Sequence, residues 1–311
     1  MELQQKDPLR EFAPQLERTS IQGYAWIVFL LAVIGLGFYA FLSQVLYGHE
    51  VTGMRDNVVW GVYIVNFIFF MGISYAGALI AGTLHLFKTA WRKPIIRMAE
   101  FITIIALLIG PCFILLCIGR LDKLHYLVIF GRIQSPITWD VIAISTDIFG
   151  CFIFLYLSLL RDLATLRDDE LLQLPNWRKK LYKVMALGYT GMPEQQKRLN
   201  RATDIMAAMV IAIAIIVYSV LAWIFSVTLQ PGWHSTIFGP YFVIAAVYSG
   251  SAVLILCMWV FRKVYHLEAY ITKKHFVAVG IIMLVLAAFL AILPSAIISQ
   301  NGMVQKKTMN C

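Results

Sequence analysis

Charge is scarce in this sequence. Charged residues make up 14% of its 311 positions, and the stretch from Asn57 to Phe87 contains none. With 60% hydrophobic residues and a mean hydropathy of +0.76, the chain has too little polar surface for an ordinary water-soluble domain. Its solvent is the lipid bilayer. Cysteine is sparse as well: of Cys112, Cys117, Cys151, Cys257 and Cys311, four lie in apolar stretches and none forms a C-x-x-C pair. That excludes a disulfide framework and an iron–sulfur cluster held by this chain. The histidines do not converge. His49, His125 and His234 fall in connections at one end of the spans, while His266 and His275 flank a connection at the other. His85, at the end of the second span, has no evident partner, so axial ligands for a membrane haem are lacking and no metal is expected. No cleavable signal is expected either, since residues 1–20 are polar and the first apolar run has full membrane length. The net charge of +9 would suit nucleic acid, but the basic residues sit between apolar spans with no aromatic RNA-binding motif around them.

Seven apolar runs remain, at about 22–47, 57–87, 94–119, 138–160, 203–229, 236–262 and 276–299. They predict an all-α integral membrane protein with a polar arm (1–21), a transmembrane domain (22–300) and a polar tail (301–311). A cytoplasmic N-terminus puts 20 Lys and Arg inside and 6 outside, so the positive-inside rule selects that orientation, with 161–201 as a cytoplasmic connection. In this connection Trp177, Leu181, Val184 and Leu187 alternate with Arg178, Lys179, Lys180 and Lys183, the pattern of a helix lying on anionic headgroups. The apolar segment 124–130 is too short to span and is expected to lie flat over the bundle.

The second span carries small residues, Gly72, Ala76, Gly77, Ala78 and Gly82, that admit neighbouring backbones. Tyr63, Asn66 and Ser74 recur on it at helical spacing. Three acids sit at membrane depth. Asp140 lies near one end of the fourth span, where it can favour the helix N-terminus or do chemistry; Asp147 lies a heptad deeper, beyond any capping position. Glu100 follows Arg97 by three residues, as a solvated pair or as a proton station.

Three strings, VTGMRDNVVWGVYIVNF, QSPITWDVIAIST and PGWHSTIFGPYF, carry a resemblance. Between about Gly23 and Lys274 the chain resembles the NrfD-like polysulfide-reductase membrane subunits, most closely the quinol-oxidising branch of alternative complex III and related sulfur-cycle complexes. The resemblance implies a four-helix bundle from the spans beginning near Asn57, Pro94, Thr138 and Thr203, followed by a partial second bundle, with span 22–47 outside. It implies a quinone (menaquinone or ubiquinone) near the periplasmic face of the first bundle, in a bacterial inner membrane. It also implies a ferredoxin-like iron–sulfur partner there and further respiratory components, such as a multihaem cytochrome c or a second NrfD-like chain. The chain would not be active alone. In that reading Asp147 and Asp140 accept protons, and Asn66, Tyr75 and Tyr218 join them around the quinone. Glu100, Ser74, Tyr75 and Thr103 form a proton path, and Arg55, Arg120, His125, Arg132 and His234 face the partner. The chain departs from the pattern at Tyr75, where several quinol-oxidising relatives carry histidine, and near Tyr218 and Ile224, where they carry a histidine and an acid. The family also usually continues past the seventh span. A non-catalytic membrane anchor of the same family is the alternative, and an ion or solute transporter a third reading.

Overall fold

Hydrocarbon offers no hydrogen bonds, so each long apolar run must satisfy its own backbone, and here each does so as a helix. The computed structural model describes residues 21–54, 60–88, 92–119, 121–168, 175–228 and 237–309, with side chains to residue 293 except those of Lys93 and Val128. In chain order the helices are α1 (Ile21–Tyr47), α2 (Gly61–Phe87), α3 (Arg92–Cys117), α4 (Tyr126–Ile129), α5 (Pro136–Asp168), α6 (Asn176–Met185), α7 (Pro193–Ser226), α8 (Phe238–Val264) and α9 (Lys273–Met309). Seven of them, all but α4 and α6, are long and apolar enough to cross a membrane. The protein is an all-helical, multi-pass membrane protein. Segment 124–130, expected to lie flat, supplies the single turn α4.

The spans match the apolar runs at most ends, but α5 continues eight residues past its run, α7 begins ten residues before its own, and α9 continues ten residues past its own, through the expected polar tail to Met309. Hydropathy reports where lipid ends. It is silent on where a helix ends, because polar residues such as those of 161–168 sustain a helix in water equally well. The expected 161–201 connection is therefore largely helical.

Two compact units emerge, one from the residues up to 59 with 156–200, the other from 60–155 and 201–311. In the first, α1 buries only Gln44, whose amide lies 3.4 Å from the His49 ring. The Tyr156 hydroxyl donates to the Met185 carbonyl (2.7 Å), and Arg167 donates to that of Tyr189 (2.9 Å). These bonds fix the end of α6, whose Trp177, Leu181 and Val184 are exposed.

The second unit is built on α2. From Met71 to Ala78 every residue of α2 is buried, which a helix achieves only with neighbours on all sides. Its glycines make room for them. A Cβ on Gly77 would stand 2.9 Å from the Ala99 carbonyl of α3, and one on Gly82 2.8 Å from Ile211 of α7. On the third side Gly250 of α8 abuts α2 itself, its Cβ position 2.8 Å from the Gly72 carbonyl. The small-residue pattern of the second span thus brings three helices into close contact. Thr103 of α3 tightens the first seam, donating to Ala99 (2.8 Å) and to the Ser74 carbonyl of α2 (3.3 Å).

Candidate functional site

At the N-terminal end of α2 the four helices α2, α3, α5 and α7 diverge around a cavity of about 320 Å³. Tyr63 and Phe67, with Trp60 just before the helix, form its α2 wall, Phe113 and Cys117 the α3 wall, Ile137 and Asp140 the α5 wall, and Leu221 and Phe225, with Thr228 just past the helix, the α7 wall. These are the four helices expected to make the first bundle. Pro111 lies two residues before Phe113, where the α3 wall begins, and leaves the Leu107 carbonyl without its intrahelical donor. The volume and the apolar, aromatic lining suit a flat organic ring, and the few polar groups can orient it.

Asp140 is the one carboxylate of that lining. Five residues into α5, it makes no hydrogen bond or ion pair among the described residues, so the capping contact that its position allows is not formed. Its side chain opens on the cavity instead. Tyr63 and Thr228 line the same space, and the Thr228 hydroxyl donates to the Phe225 carbonyl at 2.7 Å.

The other expected site residues lie elsewhere. Asp147 is buried two turns deeper on α5, about 10 Å along the axis, where Cys151 donates its thiol hydrogen to the carboxylate (3.4 Å). It does not line the cavity. Asn66 is half-buried and outside the lining. Tyr75 and Tyr218 also stand away from it, yet rings connect them to its wall. Trp60 meets Phe225 (6.4 Å between centroids), Phe225 meets Phe242 (5.8 Å), Phe242 stacks on Tyr218 (5.0 Å) and Tyr218 on Tyr75 (4.5 Å). The Tyr218 hydroxyl is buried with no hydrogen-bond partner among the described residues, as is that of Ser74.

Glu100 pairs with Arg97 at 3.2 Å, but its side chain is 1% exposed, so the pair is not the solvated one that the sequence allowed. His85, which has no evident partner in the sequence, has one in the fold: its Nε2 lies 2.9 Å from the Asp204 carboxylate, which Lys88 also approaches at 3.4 Å. The two residues are 119 positions apart, beyond the reach of local pattern. Of the expected partner face, His125 and Arg132 are exposed; Arg55, Arg120 and His234 lie outside the described residues.

Comparison with known proteins gives a family and several relatives. The profile of the family described as "Polysulphide reductase, NrfD" matches residues 50–304. A putative dimethyl sulfoxide reductase membrane subunit of Halobacterium salinarum is 27% identical over 76% of this chain and 50% of its own length. A selenate reductase subunit of Mesobacillus selenatarsenatis is 22% identical over 75% of this chain and 55% of its own. The Hdr-like menaquinol oxidoreductase integral membrane subunit of Archaeoglobus fulgidus is 23% identical over 78% and 51%. The chain therefore spans about half the length of these curated relatives.

Proposed function

Because the chain belongs to the NrfD polysulphide reductase family, we propose that it is the quinol-reactive membrane subunit of a respiratory oxidoreductase complex. The relatives' names support an oxidoreductase membrane subunit, and one of them names menaquinol. The observation that carries the reading is the cavity among α2, α3, α5 and α7 with the unpartnered carboxylate of Asp140 on its wall.

Oxidising a quinol releases two protons and two electrons, so the site needs ring walls, a group to hold each hydroxyl and a base. Trp60, Phe67, Phe113 and Phe225 supply the walls. Tyr63 orients the ring, and Asp140 accepts the two hydroxyl protons in turn, one as each electron leaves, giving up the first before it takes the second. Asp147 then receives the proton further along α5, and Arg97–Glu100 with Thr103, Ser74 and Tyr75 continues a route toward the other face. The electrons pass to an iron–sulfur subunit seated over His125 and Arg132. In this reading the cavity faces the periplasm of a bacterial inner membrane and the N-terminus faces the cytoplasm.

The test is Asp140→Asn in the assembled complex, assayed with a menaquinol analogue. The substitution keeps size and polarity and removes the base, so complex yield should hold while quinol oxidation falls about 10²-fold or more, the scale of lost general-base catalysis. Undiminished turnover in a fully assembled variant would overturn the proposal and leave the subunit as an anchor.

A further inference from the structure

A second and larger recess, of about 560 Å³, runs along α3 between Arg97 and Ala106 with α2 and α8 as its sides. Phe70 and Ile73 line it from α2, Val253 and Phe261 from α8, and its accessible lining is wholly apolar. With no hydrogen-bonding surface to hold ring oxygens, it is unsuited to a quinone headgroup and suited to a hydrocarbon chain. Its length decides between occupants. The nine helical steps from Arg97 to Ala106 cover about 14 Å, half of a hydrocarbon core about 30 Å thick. A partner's spanning helix would need both halves, whereas one acyl chain of one leaflet needs only this one.

Arg97 gives the chain a headgroup. It contributes apolar stem to the wall, and its guanidinium, paired with buried Glu100 at 3.2 Å, remains one-third exposed, as in a snorkelling arginine. Arg262 and Lys263 close α8 at the same end, next to Phe261. We propose that this groove is a binding site for an anionic phospholipid, its acyl chain between α3 and α8 and its phosphate at Arg97. The site does not depend on the quinol reading.

The full chain, reconstituted in nanodiscs of equal phosphatidylcholine and phosphatidylglycerol, is released and its retained lipids are counted by native mass spectrometry. Phosphatidylglycerol should be retained about fivefold over phosphatidylcholine, the effect of one basic side chain at an anionic headgroup. Arg97→Gln should bring the ratio to about one. Ile105→Trp, on the exposed side of the lining and so tolerant of size, should reduce retention of both lipids; Val253→Trp repeats the block from the opposite wall. Equal retention of the two lipids by the unaltered chain would overturn the proposal. Undiminished retention in a folded tryptophan variant would do the same.

Discussion

Asp140 and Asp147 share one face of one helix but not one environment. The first opens on the cavity without a partner among the described residues; the second is buried and accepts a bond from Cys151. Asp147→Asn should therefore slow quinol oxidation by less than about tenfold, against about 10² for Asp140→Asn. The reverse order, measured in one preparation with complex yield, would transfer the proton-accepting role to Asp147. Tyr218 poses a different question, because its ring is stacked on both faces while its hydroxyl is buried unsatisfied. Removing that hydroxyl in Tyr218→Phe should raise stability by about 1 kcal/mol or more, whereas Tyr218→Ala should lower it by about 3–5 kcal/mol. Thermal unfolding in detergent reads both signs. At this scale the sequence was legible where a residue is rare in its setting: acids in apolar runs announce themselves, Asp140, Asp147 and Glu100 alike, but which of the three lines the cavity was not legible, and of them the lining holds Asp140 alone. Phe67, Phe113 and Leu221 did not announce themselves, since an apolar side chain in a span looks the same facing a cavity, a neighbour or lipid. His85 and Asp204 found each other only through the fold.

Among the helices, burial separates α2 from the rest. Gly77 meets the α3 backbone, so Gly77→Ala forces that seam apart and should destabilise by about 1–3 kcal/mol. Gly280 of α9 has nothing within 4 Å of its Cβ position, and Gly280→Ala there should be neutral or stabilising by up to about 1 kcal/mol. Similar melting temperatures for the two variants would contradict the central place given to α2. The existence and order of the spans were legible because hydrophobic length is a direct requirement of the bilayer. The extensions of α5 and α7 were not, because beyond the lipid the composition of a helix and of a loop converge. Small residues in α2 told that something packs closely; which helix meets which glycine is long-range information.

For the molecule as a whole, the asymmetry of 20 against 6 basic residues is the ground for the proposed cytoplasmic N-terminus. Reporter fusions at positions 170 and 233 should give cytoplasmic activity at 170 and exported activity at 233; the opposite pattern would invert the molecule and place the cavity on the cytoplasmic side. The crowding around α2 also reaches into the gene. Any single-nucleotide change in a glycine codon that alters the residue without ending translation installs a β-carbon, and at Gly77, Gly82 and Gly250 that carbon arrives against a neighbouring helix. These codons have no missense neighbour that leaves the packing alone, so in natural populations they should drift synonymously, while Gly35 and Gly37 of α1, whose Cβ positions meet nothing within 4 Å among the described residues, accumulate alanine and serine.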